Sequence, residues 1–158
     1  MLTHLDKNGN ATMVDISDKK TTTRTALASG VIHITPEILE AIKKDSIKKG
    51  NVFTVAKIAG INSAKMTEAI IPLCHQIPLD YIDINFDLQE RNLIIEVLAN
   101  VKTSHKTGVE MEALVAVNAS LLTIYDMCKG VSKDMQITDI KLLKKTGGKS
   151  GDWETSSK

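Results

Sequence analysis

Aromatic residues are scarce: two Phe, two Tyr and one Trp are all that 158 residues carry. A stacking platform for single-stranded nucleic acid needs several aromatic faces, so that role is disfavoured and the core has to be aliphatic. Charge of one sign is missing as well, with 20 Lys+Arg against 19 Asp+Glu and a net charge of +1. General nucleic-acid binders carry a marked basic excess, so any anion site here must be local. The two cysteines, Cys74 and Cys128, are too few for a disulfide framework and lack the paired spacing of a zinc site, which points to a reducing compartment. No apolar stretch approaches the roughly 20 residues of a membrane span. The opening MLTHLDKNGN lacks the apolar stretch of a signal peptide. The expectation is a cytoplasmic protein with neither membrane nor nucleic acid as partner. With 42% hydrophobic and 25% charged residues, the composition suits one globular domain spanning residues 1–158.

Residues 1–23, with Asn8-Gly9-Asn10 and the polar run from Asp18 to Thr23, read as an N-terminal arm, in which Lys20 has no assigned role. Ala26, Ala28, Val31, Ile32 and Ile34 then indicate a strand with an irregularity at Gly30. Thr35-Pro36-Glu37 opens a short helix, and Asn51 caps a second, whose mid-helix Gly60 implies close packing against a neighbour. Pro72 and Pro78 keep the LCHQI segment between them from being regular helix. Alternation from Ile82 to Leu88 and from Leu93 to Val101, with a turn at Glu90 to Asn92, predicts a hairpin with one buried face. A long helix from Val109 to Lys129 is apolar nearly all round, and Ile137 to Leu143 forms a last strand before a glycine-rich loop and polar tail at 147–158. This order is α+β and ferredoxin-like, an antiparallel sheet with helices packed on one face.

Several residue types bear chemistry, each with a bland reading beside it. Asp126 and Lys129, three apart, project from one side of the long helix as a base and acid pair, although such pairs are commonly solvated salt bridges. His75 in the proline-bracketed loop suits phosphate binding or proton transfer. Its neighbour Cys74 shows no cause for a lowered thiol pKa and is read as core filling rather than nucleophile. Glu110 and Glu112 open the long helix about 200° apart, so at least one should face protein. Gly147-Gly148-Lys149-Ser150-Gly151 has the look of a phosphate cradle but lacks the Walker spacing and the following helix.

Together, VDIS at Val14–Ser17, KGNVF at Lys49–Phe53, AKIAGI at Ala56–Ile61, IPLCH at Ile71–His75, KTGVEMEAL at Lys106–Leu114, LTIYDMCK at Leu122–Lys129 and GGKSGDW at Gly147–Trp153 resemble one family. It is the cyclic pyranopterin monophosphate synthase, or molybdenum cofactor biosynthesis protein C, family. The resemblance implies a lyase converting a cyclised dihydro-GTP to cyclic pyranopterin monophosphate with release of diphosphate, downstream of a radical S-adenosylmethionine GTP cyclase. It further implies a homohexamer, a trimer of dimers with sites where subunits meet. By resemblance Asp126, Lys129 and Lys49 are catalytic, while Leu73, Cys74, His75, Glu110, Met111, Glu112, Arg24, Lys65 and Lys145 contact or surround the substrate. No resident cofactor or metal is implied, Mg²⁺ on the triphosphate or diphosphate being left open. Gln76, where the family often has proline, and Ser104-His105 depart from the pattern, and His105 receives no role.

Overall fold

The computed structural model describes Leu5, residues 7–149 and residues 151–156, so Ser150 of the glycine-rich run lies outside the described residues. The chain runs β1 (Thr22–His33), α1 (Pro36–Lys43), α2 (Val52–Ala64), α3 (Thr67–Ile70), β2 (Tyr81–Gln89), β3 (Ile94–His105), α4 (Glu110–Cys128), β4 (Gln136–Thr146) and β5 (Trp153–Glu154). The strands form one sheet in the order β2-β3-β1-β4-β5, with every pair antiparallel. The four longer strands thus have the ferredoxin-like order that the element sequence predicts.

Local chemistry explains most of these elements. Thr35 caps α1 by accepting from the Ile38 N–H, with proline at the first helical position. Asn51 caps α2 through a 2.9 Å bond from the Thr54 N–H. In the β2/β3 hairpin Ile84 stands opposite Ala99 and Phe86 opposite Val97, so the apolar set of both strands falls on one face and Asp83, Asn85 and Asp87 on the other. That face carries the core: Ala26, Ala28 and Ile32 from β1, Ile95, Val97, Ala99 and Val101 from β3, and Leu121 and Ile124 from α4 above them.

Two glycines set how closely the layers approach. A Cβ at Gly60 would collide with the Ile84 side chain, Ser120 Oγ and the Ala116 carbonyl, so α2 and α4 cross backbone to backbone there, as the sequence implied. A Cβ at Gly30 would come within 2.7 Å of Leu121 and 2.8 Å of Val117. The β1/β4 register shifts beside it, between Ser29 and Val31, which is the irregularity expected at that glycine.

Some expectations need correction. The arm ends at residue 21, since β1 already starts at Thr22 and pairs with His105. The polar tail contains β5, where Trp153 pairs with Lys145, and the single-turn α3 carried no sequence signal. Leu122 on α4 is 61% exposed, so the helix is not covered on all sides. Contrary to the sequence reading, α4 is long and apolar enough, by length and composition alone, to cross a membrane. Here it packs on β1, β3, β4 and α2, and it carries Glu110, buried Glu112 and Asp126.

Candidate active site at the two ends of helix α4

At the N-terminal end of α4, the irregular backbone between the two prolines brings Leu73, Cys74 and His75 against Glu110, Met111 and Glu112. These six line one cavity of about 400 Å³ together with Thr107, Gly108, Ile77, Val14, Ile16 and Lys19. A second cavity of about 690 Å³ adjoins it, sharing Lys19, Thr107, Gly108 and Glu110, and is walled by Lys20, Arg24, Lys145 and Lys149. The first cavity sets the apolar Val14, Ile16, Leu73, Ile77 and Met111 beside the polar His75 and Glu112, and the second is walled by cations, which suits a ligand with a ring bearing hydrogen-bonding groups at one end and negative charge at the other.

The side chains here are held firmly. Glu112 is only 3% exposed, and burial pushes its carboxyl up to about 7, with the Glu110 and Glu68 carboxylates adding to the rise. Glu110 takes a 2.8 Å ion pair from Lys145. Burial, and then the Glu112 charge, raise the Cys74 thiol, which is thereby kept protonated and inert, as the sequence reading held. Arg24 donates from Nε to the His105 carbonyl and from Nη2 to the Lys106 carbonyl, each at 3.2 Å. Gly148, at φ +86°, lies over this guanidinium so closely that a Cβ would strike Nη1. The loop is held by Gly147 N–H donating to Asp152 Oδ1 at 3.0 Å.

At the other end of α4, Asp126 Oδ1 meets Lys129 Nζ at 2.8 Å and Oδ2 meets Lys49 Nζ at 2.6 Å. Lys49 Nζ also donates to the Asp126 backbone carbonyl at 2.8 Å. Hydrogen bonds from the two ammonium groups hold the Asp126 carboxyl down to about 2, and the same contact raises Lys129. Asp126 is therefore an ionised carboxylate at neutral pH, a clamp for two cations rather than a poised acid.

Residues that the resemblance groups together thus fall in two clusters. Glu110 and Asp126 are sixteen residues apart on one helix, which is roughly 24 Å at 1.5 Å per residue. Within one chain, Lys49 does not converge with His75 and Lys145. Lys65, at the C-cap of α2, is exposed and lines neither cavity. Lys20, given no role from sequence, lines the cationic cavity, and Lys19, Val14 and Ile16 were missed. Only their place in VDISDKK, just before Arg24, could have signalled them. Among the described residues, no group of three or more His, Cys, Asp or Glu is placed to hold a metal ion.

A ferredoxin-like sheet with a two-part cavity, a buried carboxyl near neutrality and an anion-attracting wall defines an enzyme for an anionic small molecule. The chain belongs to the MoaC family, whose sequence model matches residues 13–148, from just before the VDIS segment to the glycine-rich loop. It is 52% identical over 154 residues to a cyclic pyranopterin monophosphate synthase of Clostridium acetobutylicum, covering 98% of this chain and 96% of that protein. The synthase of the same name from Thermoanaerobacter sp. is 52% identical over 153 residues, 97% of each. Molybdenum cofactor biosynthesis protein moc-5 of Caenorhabditis elegans is 51% identical over 150 residues, 95% of this chain but 25% of that longer protein.

Proposed function

We propose that the chain converts 3',8-cyclo-7,8-dihydro-GTP to cyclic pyranopterin monophosphate and diphosphate, in the cytoplasm, on a substrate supplied by a radical S-adenosylmethionine GTP cyclase. One observation carries the arrangement of the site. The cavities with Glu112, Arg24 and Lys145 lie at one end of α4, and the Asp126, Lys129 and Lys49 cluster lies at the other. A reaction that uses both needs two chains, with the C-terminal end of one α4 against the cavities of a neighbour. The exposed Leu122, Ile58, Met66 and Ile70 supply an apolar surface for that contact. Three such pairs make the hexamer.

In this reading the ring system sits among Leu73, Cys74, His75, Met111 and Glu112, and the phosphates lie toward Arg24 and Lys145. Opening the purine and rebuilding it as a pterin requires repeated proton transfers. Glu112, with its carboxyl near neutrality, can both give and take a proton at working pH. Lys129, kept protonated by Asp126, is the acid from the partner side, and Lys49 faces the departing charge. Closing the cyclic phosphate takes a substrate hydroxyl whose oxygen forms one O–P bond at the α-phosphorus while the bond to the β-phosphate oxygen breaks, so diphosphate leaves with the electron pair and the hydroxyl proton passes to the departing diphosphate. Cations lower the cost of that leaving group. Any Mg²⁺ arrives on the phosphate oxygens of the substrate rather than on a set of protein ligands.

The test is incubation with the cyclised GTP intermediate, with pterin and diphosphate measured separately. The expected result is equimolar product of both. Tight binding without pterin formation would mark the chain as a nucleotide-responsive binding module, and neither binding nor product would mark a purely structural oligomer.

A further inference from the structure

Four residues, Lys106 to Val109, link β3 to α4, and two of them, Thr107 and Gly108, line both cavities. Glu110, the first residue of α4, also lines both. The divide between the cavities is therefore built largely from this link and the start of the helix.

Gly108 leaves a space on that divide, and Glu110 fills it. A Cβ at Gly108 would collide with the Glu110 carboxyl, whose Oε2, Cδ and Oε1 are the three atoms it would meet first. The backbone of Gly108 lies outside the left-handed region, so its conformation admits a larger residue and only the Glu110 side chain stands in the way. From this seat Oε1 accepts from Lys145 Nζ at 2.8 Å. With its side chains 25% and 29% exposed, this is the least exposed ion pair among the described residues, so water and salt screen it least. Beyond it, Arg24, Lys20 and Lys149 wall the second cavity, while Glu112 lies in the first. An anion moving from the second cavity toward the first thus meets the Glu110 carboxylate at the divide, and like charges repel.

We propose that Gly108 is a positioning residue that acts through Glu110: the space left by its missing side chain seats the Glu110 carboxylate on the divide, where it holds Lys145 and keeps negative charge out of the first cavity. The pair thereby fixes which end of an anionic ligand enters which cavity. The orientation of the substrate rests on the function proposed above, whereas the seating of Glu110 and its repulsion of anions do not.

Full-length wild type, Gly108→Ala, Glu110→Ala and the double variant form a cycle that tests this. Trace acetylation of Lys145 without ligand, read by peptide mass spectrometry against Lys44, reports the ion pair, and calorimetry with inorganic tripolyphosphate reports the repulsion. Gly108→Ala should label Lys145 about threefold faster or more and bind tripolyphosphate about threefold more tightly or more, because the carboxylate has left its seat. Glu110→Ala should do the same. The double variant should match Glu110→Ala, since an alanine at 108 then has no Glu110 side chain to strike. On the cyclised GTP, Gly108→Ala should lower kcat about tenfold without raising KM, as a bound but misplaced substrate would. A site that had merely loosened would bind the anion more weakly.

If Gly108→Ala labels Lys145 at the wild-type rate, the glycine does not seat Glu110. Unchanged or weaker tripolyphosphate binding in that variant would overturn the repulsion. If alanine at 108 has as large an effect in the Glu110→Ala background as in wild type, Gly108 acts on something other than Glu110. Failure of the wild type to turn over cyclised GTP would remove the proposed function and the orientation of its substrate, while labelling and tripolyphosphate binding would still decide the seat.

Discussion

The two ends of α4 carry acids of the same chemical kind in opposite states. Glu112, in the first turn, is almost fully buried and its carboxyl lies near 7. Asp126, in the last turn, is exposed and lies near 2. A helix dipole alone would favour an acid at the N-terminal end and disfavour one at the C-terminal end, yet the shifts run the other way. Desolvation, with two acidic neighbours, outweighs the dipole at Glu112, and two lysines within hydrogen-bond reach outweigh it at Asp126. The pair shows that environment, not residue type or helix position, assigns one carboxyl to proton exchange and the other to holding cations.

The largest effect should come from breaking the Asp126 end. Asp126→Asn removes the charge that clamps Lys49 and Lys129, and turnover should drop about a hundredfold or more. The ion pairs are exposed, so the thermal midpoint should hardly move. Pterin formation and a melting curve on the same preparation check both halves, and more than a tenth of wild-type turnover would remove Asp126 from the machinery.

Next comes the question of whether the two ends meet across chains. Asp126→Asn and Glu112→Gln should each be inactive alone. Mixed after subunit exchange, or co-expressed, they should recover up to roughly a quarter of wild-type activity, because random pairing rebuilds one intact site in four. No recovery in verified mixed oligomers would mean that the site is completed some other way. Light scattering at assay concentration should show a multimer.

A smaller effect is thermodynamic. A carboxyl raised from 4.5 to about 7 in the folded state binds its proton more tightly there than in the unfolded chain. The cost of ionising Glu112 is thus absent below about pH 4.5, grows between 4.5 and 7 and is complete above 7. Glu112→Gln removes that cost, so the variant should melt above wild type by several degrees at pH 8, corresponding to roughly 1–3 kcal/mol, with the gap closing toward pH 5. A gap independent of pH would show that Glu112 is not the titrating group.

The smallest expected effect serves as the control for Lys49. Lys20 cannot serve, because it lines the cationic cavity. Lys44, paired on the surface with Glu40, is suitable. Lys44→Ala should change turnover by less than about twofold, while Lys49→Ala lowers it by an order of magnitude or more. Equal losses would dissolve the claim that charge acts only at specific positions.

Much of this molecule is determined by neighbours in sequence. The capped starts of α1 and α2, the alternating hairpin and the Asp126–Lys129 pair follow from local geometry, because a capping bond spans three residues and a helix turn returns every three to four. The crowding at Gly60 and the irregularity at Gly30 were also legible, since a glycine in either setting costs stability unless a close neighbour requires it. The rest depended on contacts between segments far apart in the chain, whose closure no local pattern encodes. Lys49 reaches Asp126 only because the loop before α2 folds against the end of α4. Glu112 becomes unusual only once the Leu73–His75 loop and the arm have excluded water from it. The two-residue β5 exists because the chain returns along β4 at Lys145, too short a pairing to leave a periodicity. Sequence alone determined which residue types this protein brings to its chemistry. The tertiary structure alone decided that they lie in two clusters a helix length apart, because helix length sets that separation and only packing decides what stands at either end.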